Sequence, residues 1–407
     1  MKITMPEKHS IRDIRIVPVE TYFGAPGEGR IVGRNSKGEN YGHNQREWLV
    51  QISTDSGLTG VTNARPAMNR GKLADLHETL RLLLGRDVFE FYQLTGSRVT
   101  GVNPRWEELL RENGFIDFAI FDLMGRALGV PSHQLLGDRV RDRVEAYDSS
   151  LYFQDLVHPE EGAGAVAREA RDAVDKGWRA LKLKLGRPGK WFAPRAGTER
   201  DIEVVQAVRE AIGPGVKLLV DANNGYDGMP DLLEEFVRET ASADLFWMEE
   251  MVTENVAAYR RLCQWRDRWS PRTMIVDGEG HRGRNTIYWQ LMEERLLDGL
   301  QPDMLDMGFW PFWKLAGDIE DAGYATKICP HNYNAAAIGL RGDIQFGAVT
   351  ERFVIAEDST LQFDLYRMDG YEFENGCYSV PDAPGLGVEI DRDLYNRVYK
   401  PHETVVG

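Results

Sequence analysis

Three apolar runs, each closed by an acidic residue, decide the fold of this chain. They are KLLVD at residues 217–221, LFWME at 245–249 and MIVDGE at 274–279. Their length and their aromatic and β-branched content predict buried parallel strands. Because the carboxyl ends of parallel strands meet at one edge of a sheet, the terminal carboxylates are expected to converge on one point.

The terminal carboxylates are Asp221, Glu249 and Glu279, and they are the predicted ligands of one Mg²⁺ ion. Hard oxygen ligands select this ion in preference to softer metals. Asn223 is expected in the second shell of ligands or in contact with substrate. A carboxylate after an apolar run can also be a simple helix N-cap, but three at one period favour a metal site.

The same period continues on both sides of these runs. From residue 221 onward the polar strand ends recur at steps of about 24 to 30 residues, the length of one strand-plus-helix unit. Further predicted strands lie at 144–148, 180–184, 301–303, 327–331 and 353–357, and helical patterns fill the gaps at 199–212, 231–240 and 255–265. About eight such units predict an α/β fold, a (β/α)₈ TIM barrel whose chemistry lies at the carboxyl ends of its strands.

Residues 1–140 predict a separate α+β module. An antiparallel meander is expected at 14–20, 48–54 and 57–61, followed by helices at 73–84 and 106–128. The long Gly-rich loop at residues 21–46 contains Arg30 and Arg34, which are either solvated charges or part of a lid over the barrel. The barrel is expected at 141–370, and residues 371–407 are expected to pack back on the first module.

Composition excludes several classes of protein. A net charge of −15 over 407 residues argues against a nucleic-acid partner, although local Lys and Arg still permit an anionic substrate. The three cysteines lack CxxC spacing, so a reducing cytoplasm is expected. No apolar run approaches 18 residues and no secretory leader is readable, so no membrane partner is expected. The expected partners are a small carboxylic acid and further copies of the chain.

The ordered motifs resemble the mandelate racemase subgroup of the enolase superfamily. The resemblance covers nearly the whole chain, and residues 1–140 look like that superfamily's capping domain. The sequence departs from that subgroup's pattern at two places: Met251 follows the double glutamate, and the third ligand lies in the unusual sequence Asp277-Gly-Glu279. The motifs are Lys182-x-Lys184, Asp221-x-Asn223, Trp247-Met-Glu249-Glu250, Gly278-Glu279, Gln301-Pro-Asp303, His331 and Glu357.

This resemblance implies removal of a proton α to a carboxylate, which needs a cation and a poised base. Lys184 is the candidate base, because the charge of Lys182 is expected to depress its pKa. Lys182 is expected to contact the substrate carboxylate. His331, oriented by Asp303, is the second candidate base or acid. Glu357, if protonated, is expected to donate a hydrogen bond to the substrate, although Asp358 is an alternative inward residue.

The leading hypothesis is a Mg²⁺-dependent hydro-lyase that dehydrates an acid sugar in carbohydrate acid catabolism. A racemase or epimerase of a 2-hydroxy or 2-amino acid would use the bases on two faces of one carbon. A cycloisomerase is less favoured, because Asp303 stands where a second lysine is expected. A non-catalytic barrel that binds a sugar acid is the alternative from another class, and it would not need general bases. The lid arginines Arg30 and Arg34 are expected to contact the distal hydroxyls of the substrate.

Overall fold

A computed structural model describes residues 7–23, 35–38, 44–64, 73–280, 286–332 and 336–406. Arg30, Arg34 and most of the 21–46 loop lie outside these ranges, so the lid hypothesis is not tested by them. Within the described ranges no helix is both long and apolar enough to cross a bilayer.

The N-terminal module is an antiparallel sheet backed by helices. Strand β1 pairs with β2, and β2 pairs with β3. The turn at Asp55 and Gly57 connects β2 and β3, as the sequence predicts, although β3 starts two residues later than expected. The elements are β1 Ile11–Phe23, β2 Asn44–Thr54, β3 Thr59–Ala64, α1 Leu73–Arg81, β4 Tyr92–Thr95, β5 Arg98–Val102, α2 Glu107–Glu112 and α3 Gly114–Leu128.

The single helix expected at residues 106–128 is wrong, because Asn113 divides it into α2 and α3. Asn113 has φ −137° and ψ 63°, outside the helical region. Its side-chain Nδ2 donates to the Leu109 carbonyl at 2.9 Å, which satisfies a free carbonyl at the end of α2. Helix α3 then ends at Gly129, which takes the left-handed conformation that the sequence indicates.

Eight parallel strands follow and close into a barrel. Neighbouring strands pair in chain order from β6 to β12, and β13 pairs with β6. An isolated parallel bridge between Ile328 and Phe353 closes the remaining seam. The strands are β6 Arg143–Leu151, β7 Ala180–Lys184, β8 Lys217–Asp221, β9 Trp247–Glu249, β10 Met274–Asp277, β11 Gly299–Leu300, β12 Lys327–Ile328 and β13 Ala356–Asp358.

Helices cover the outside of this barrel. The predicted helices at 199–212, 231–240 and 255–265 correspond to α5, α6 and α7, with ends that differ by at most five residues. The helices are α4 Ala163–Asp175, α5 Pro194–Ile212, α6 Pro230–Glu239, α7 Val256–Trp269, α8 Thr286–Glu293, α9 Met304–Met307, α10 Phe309–Asp321 and α11 Ala336–Gly347. The closed parallel barrel confirms the predicted fold class.

The chain after β13 departs from a complete (β/α)₈ unit. Strand β13 leads into short strands, so no eighth barrel helix follows it in the described residues 359–406. These elements are β14 Leu361–Gln362, β15 Tyr366–Arg367, β16 Phe373–Glu374, β17 Cys377–Ser379, β18 Glu389–Ile390, α12 Arg392–Leu394 and β19 Thr404–Val406. Strands β14 and β19 pair with β1 of the N-terminal sheet, whereas β17 pairs with barrel strand β6.

The barrel interior is filled in layers. An apolar layer contains Tyr147, Leu219, Trp247 and Val276, together with other buried side chains. Because side chains alternate along a strand, residues two positions further on face the same interior. That next layer carries Lys182, Asp221, Glu249, His331 and Glu357 in place of apolar side chains, so the polar site lies directly on a packed floor.

Candidate active site

The three predicted metal ligands lie together at the carboxyl ends of β8, β9 and β10. One carboxylate oxygen from each of Asp221, Glu249 and Glu279 lies within 4.8 Å of the others. Asp221 and Glu249 are fully buried, and they are register partners across neighbouring parallel strands. The barrel therefore brings together three carboxylates whose first and last members are 58 residues apart in sequence.

The chemistry of this triad fits a divalent cation. Glu249 Oε2 is buried and has no hydrogen-bond partner in the described part of the chain. Burial raises the pKa of Glu249 to about 8, and the neighbouring charges of Asp221 and Glu279 act in the same direction. Burial also raises the pKa of Glu279, whereas Lys184 and Lys182 lower that of Asp221. A cation shared among the three carboxylates would offset their mutual repulsion and stabilise the ionised forms. Asp221, Glu249 and Glu279 would hold Mg²⁺.

Asn223 and Glu250 form a second layer of contacts around the triad. The Asn223 backbone N–H donates to Asp221 Oδ1 at 2.8 Å, and its side-chain Nδ2 donates to Glu250 Oε2 at 2.8 Å. Both residues have positive φ, at 44° and 42°. This strained backbone turns the chain sharply at each strand end and is a common feature of functional sites.

Residues 35–38, within the predicted lid loop, lie against this second layer. Ser36 Oγ donates to the backbone carbonyls of Ala222 and Asn223, at 2.8 and 2.7 Å. Lys37 Nζ lies 3.1 Å from Glu250 Oε2. Lys37 and Glu250 are contacts that the sequence analysis missed. They are 213 residues apart, and no local pattern links them.

Lys182 and Lys184 face the triad from β7. Lys182 Nζ is fully buried and lies 2.9 Å from Glu249 Oε1 and 3.1 Å from Glu357 Oε1. Lys184 Nζ donates to Asp221 Oδ2. Both lysines are therefore buried in the barrel interior. Whether Lys182 reaches the substrate carboxylate stays a prediction.

The expected depression of the Lys184 pKa is wrong. Burial lowers the pKa of Lys184 and so does the charge of Lys182, but Asp221, Glu279 and Tyr152 together raise it above its ordinary value. The sequence indicates that Lys182 is a neighbour of Lys184, but it does not indicate that Asp221 of the next strand contacts Lys184. A cation held by Asp221 would act in the opposite direction, because it competes for the same negative charge.

His331 lies on the other side of the triad, at the end of β12. Its Nε2 is 3.2 Å from Glu279 Oε1, and its Nδ1 is 3.3 Å from Asp303 Oδ1. The structure thus brings together the predicted histidine–carboxylate pair. Burial alone would lower the pKa of His331, but Glu279, Asp303 and Glu357 raise it to about 10.

Glu357, and not Asp358, faces the site. Burial would raise the pKa of Glu357, but Lys182 and His331 hold it well below its ordinary range. Its Oε2 also accepts a hydrogen bond from the Asn332 backbone N–H at 2.9 Å. The expectation that Glu357 is protonated and donates a hydrogen bond is therefore wrong, because two neighbouring cations keep it ionised.

Asp277, part of the unusual sequence around the third ligand, precedes Glu279 by two residues. Its Oδ1 accepts from the Gly278 backbone N–H at 2.6 Å, and its Oδ2 accepts from Tyr259 Oη. Tyr288 Oη lies 3.3 Å from Asp277 Oδ1 but donates at shorter distance to Glu254. The Gly278 and Tyr259 donors fix the Asp277 carboxylate. It anchors the turn that carries Glu279.

Comparison with protein families identifies two matching regions. Residues 165–394 match the "Enolase C-terminal domain-like" family, and residues 40–137 match the "Mandelate racemase / muconate lactonizing enzyme, N-terminal domain" family. The first match alone covers more than half of the 407 residues. Together the two regions contain the whole candidate site except the part of the lid loop before residue 40.

Related proteins and structures agree with these matches. The chain is 31% identical to D-galactarolactone cycloisomerase of Agrobacterium fabrum, over 87% of this chain and 91% of that protein. It is 26% identical to D-xylonate dehydratase of Haloferax volcanii, over 85% of this chain and 83% of that protein. A Mg complex of a galacturonate dehydratase variant from Geobacillus sp. superposes with a TM-score of 0.83 at 25% identity, covering 100% of both chains. The chain belongs to the enolase superfamily, in its mandelate racemase subgroup.

Proposed function

We propose that the chain is a Mg²⁺-dependent acid-sugar dehydratase. It removes the proton α to a carboxylate and then eliminates water to give a 2-keto-3-deoxy acid. The observation that carries the proposal is the pair of proton-transfer groups on the two sides of one carboxylate triad. Lys184 contacts Asp221, the first ligand, and His331 contacts Glu279, the last.

Each residue of the chain has a role in this proposal. Lys184 accepts the α-proton. His331, oriented by Asp303, gives a proton to the departing β-hydroxyl. Lys182 contacts the substrate carboxylate, and the ionised Glu357 holds Lys182 and His331 in place. Mg²⁺, when bound, supplies positive charge to the carboxylate as it becomes an enediolate.

The relatives' names support an acid-sugar substrate. Named relatives include D-xylonate dehydratase and D-gluconate dehydratase of Thermoproteus tenax. A Geobacillus sp. galacturonate dehydratase complexed with D-galacturonate matches with a TM-score of 0.81 at 25% identity, over 98% of this chain and 99% of that one. We extend to this chain the class of substrate, a polyhydroxylated acid, and not one particular sugar.

Two other reactions use the same groups. Racemisation or epimerisation would have Lys184 and His331 act on two faces of one carbon. Isomerisation of a sugar-acid lactone is favoured by the 31% identical D-galactarolactone cycloisomerase. The non-catalytic barrel is the least favoured alternative, because simple binding does not require Lys184, His331 and Asp303 around a metal triad.

A substrate screen in deuterium oxide separates these reactions. Four- to six-carbon aldonic and aldaric acids and their lactones are incubated with the Mg²⁺-loaded protein. We expect a 2-keto product from at least one acid. C2 epimers without a 2-keto product would replace the proposal with racemisation, and consumption of lactones alone would replace it with cycloisomerisation. A binding barrel would neither form product nor exchange the α-proton.

The remaining parts of the proposal concern the molecule as a whole. Residues 1–140 form the capping domain and 141–370 the barrel, and 371–407 is a segment that packs back on the cap through β19 while β17 pairs with the barrel. The protein works in the cytoplasm as a homo-oligomer. Arg30 and Arg34 contact the distal hydroxyls of the substrate, supported by the position of Ser36 and Lys37 at the barrel mouth.

The lid proposal has its own test. Arg30→Ala and Arg34→Ala are expected to raise KM or change substrate preference, with the rate of α-proton exchange at saturation retained. This follows because distal contacts bind ground state and transition state alike. Unchanged kinetics for both variants on a true substrate would remove the lid role.

A further inference from the structure

A cavity of about 490 Å³ lies on the outer side of the barrel, at the seam between β13 and β6. In a complete barrel an eighth helix would cover this seam. Here β13 leads directly into β14, so α11 and α4 flank an open slot. None of the residues that line this slot belongs to the candidate active site.

Two carboxylates form the inner wall of this slot. Asp148 and Asp358 are register partners on β6 and β13, and they alternate with the inward-facing residues of the same strands. Asp148 Oδ1 accepts from the Ser150 backbone N–H at 2.8 Å. Asp358 accepts from Tyr378 Oη at 2.6 Å and from the Thr360 backbone N–H at 2.7 Å. These bonds fix both carboxylates and leave acceptor capacity toward the cavity.

Arg341 supplies a buried positive charge opposite them. Its side chain is stacked on two rings, with Cζ 5.1 Å from the centre of Tyr371 and 5.3 Å from that of Tyr378. Arg341 is 8% exposed, and Asp358 is its charged neighbour, but its Nε is buried without a hydrogen-bond partner within the described ranges. A buried donor without an acceptor is costly, so the slot lacks one hydrogen-bond acceptor at this nitrogen.

Thr360 adds an independent sign of function. Its φ is +55°, which is a rare conformation for a β-branched residue. Its Oγ1 is buried without a partner in the described part of the molecule. Backbone strain of this kind persists where a binding site requires it. The strained hydroxyl lines the same cavity as Arg341.

The rest of the lining selects the class of ligand. Trp178, Leu361 and Phe363 give apolar surface, whereas Glu169 and Asp172 add negative and Lys176 positive charge. The carboxylates of the lining disfavour a ligand that only accepts hydrogen bonds, such as a bare inorganic anion. A molecule with one carboxylate and several hydroxyls satisfies both sets of groups, because ionised carboxylates accept hydrogen bonds from hydroxyls.

We propose that this slot binds a polyhydroxylated carboxylic acid, with its carboxylate on Arg341 and its hydroxyls on Asp148, Asp358 and Thr360. This site is separate from catalysis and does not rest on the proposed function. A sugar acid bound there would occupy the space of the missing helix.

The probe is D-gluconate, measured by equilibrium dialysis of the radiolabelled acid against the Mg²⁺-loaded protein. We expect Arg341→Gln to weaken one class of gluconate binding at least tenfold, with the kcat/KM of any turnover unchanged. Arg352→Gln is the matched control, since Arg352 also lies outside the barrel but pairs with Glu320 at 3.4 Å. D-Glucose, which lacks the carboxylate, is expected not to compete.

A second variant guards against misfolding of the first. Thr360→Gly relieves the strained φ and removes the hydroxyl, so we expect a melting temperature at or above that of wild type together with weaker gluconate binding. Equal gluconate binding by wild type, Arg341→Gln and Thr360→Gly would overturn the proposal. So would competition by L-alanine in place of gluconate, which would identify a site for zwitterions. Because dialysis needs no turnover, failure here is distinguishable from failure of the dehydratase proposal.

Discussion

Lys184 and His331 contact opposite ends of the carboxylate triad, and this placement separates their tasks. If Lys184 takes the α-proton and His331 acts only on the leaving hydroxyl, each can be removed without removing the other step. The geometry of single residues therefore makes the order of proton transfers measurable.

His331→Asn is expected to lower the rate of dehydration by about 10²–10⁴-fold, because it removes the general acid. The same variant should still exchange the α-proton of the substrate with deuterium oxide, whereas Lys184→Ala should lose both exchange and dehydration. Mass spectrometry of recovered substrate measures the exchange. Loss of exchange in His331→Asn and its retention in Lys184→Ala would reverse the two assignments.

Lys190→Ala is the control for the loss of a lysine charge. Lys190 follows the same strand but stacks on Trp191, with Nζ 5.3 Å from the ring centre, and it is exposed. We expect no change in either rate for this variant.

The turn after β10 shows how one element supports the third metal ligand. Gly278 has φ +130°, and a Cβ there would lie 2.7 Å from Leu300 Cδ1 and 2.8 Å from the Gln301 backbone nitrogen. Only glycine fits this close approach of neighbouring strands. Asp277 accepts a hydrogen bond from the Gly278 N–H, and Tyr259 of α7 donates to Asp277.

Tyr259→Phe and Asp277→Asn are expected to weaken Mg²⁺ binding by roughly 10- to 100-fold, the usual effect of losing a group that orients a metal ligand. Calorimetric titration of Mg²⁺ measures this without turnover. Tyr92→Phe is the matched control, because Tyr92 donates to a buried aspartate in the cap, 2.6 Å from Asp117 Oδ2. Mg²⁺ affinity equal in all three variants would show that Asp277 does not position Glu279.

The periodic elements were predictable because their signals are local. The runs at 217–221 and 274–279 carry their own apolar pattern, and the spacing between them carries the strand–helix repeat. Contacts between distant elements left no such signal. The contacts of Asp221 with Lys184 and of Lys37 with Glu250 depend on which elements are neighbours in space. The charge states of Lys184 and Glu357 therefore could not be derived from sequence.

At the scale of the whole molecule, Asp117 joins the cap to the barrel. It lies in α3, is fully buried, and accepts from the Phe309 backbone N–H of α10 at 2.5 Å and from Tyr92 Oη at 2.6 Å. Burial raises the pKa of Asp117 from 3.8 to about 7, although these hydrogen bonds act against the increase.

This raised pKa predicts a pH-dependent stability. The unfolded chain loses the proton of Asp117 near pH 4 and the folded chain near pH 7, so this group's contribution is complete below pH 4 and is lost as pH rises to 7. The span corresponds to a free energy on the order of 4 kcal/mol. Asp117→Asn should show a smaller decrease in unfolding free energy between pH 4 and pH 7 than wild type, measured by urea denaturation. Parallel curves for the two proteins would contradict the assignment.

The absence of an eighth barrel helix from the described residues 359–406 could not be predicted from sequence either. The strand at the end of the repeat was predicted, and the turn-rich segment after it was expected to pack on the cap. Strands β14 and β19 do pair there, but β17 joins the barrel through β6. Short two- and three-residue strands have no periodicity of their own, since they are defined by their partners.

The N-terminal sheet takes β1 to β3 from before the barrel and β14 and β19 from after it. During synthesis, β1 leaves the ribosome before the barrel strands, and two of its partners, β14 and β19, emerge only after all eight of them. The cap over the site is therefore completed after the barrel, because residues 404–406 must first reach β1. In a nascent chain the barrel can therefore form while the capping sheet is incomplete. Until β14 and β19 arrive, the unpaired edge of β1 is exposed to pairing with other chains.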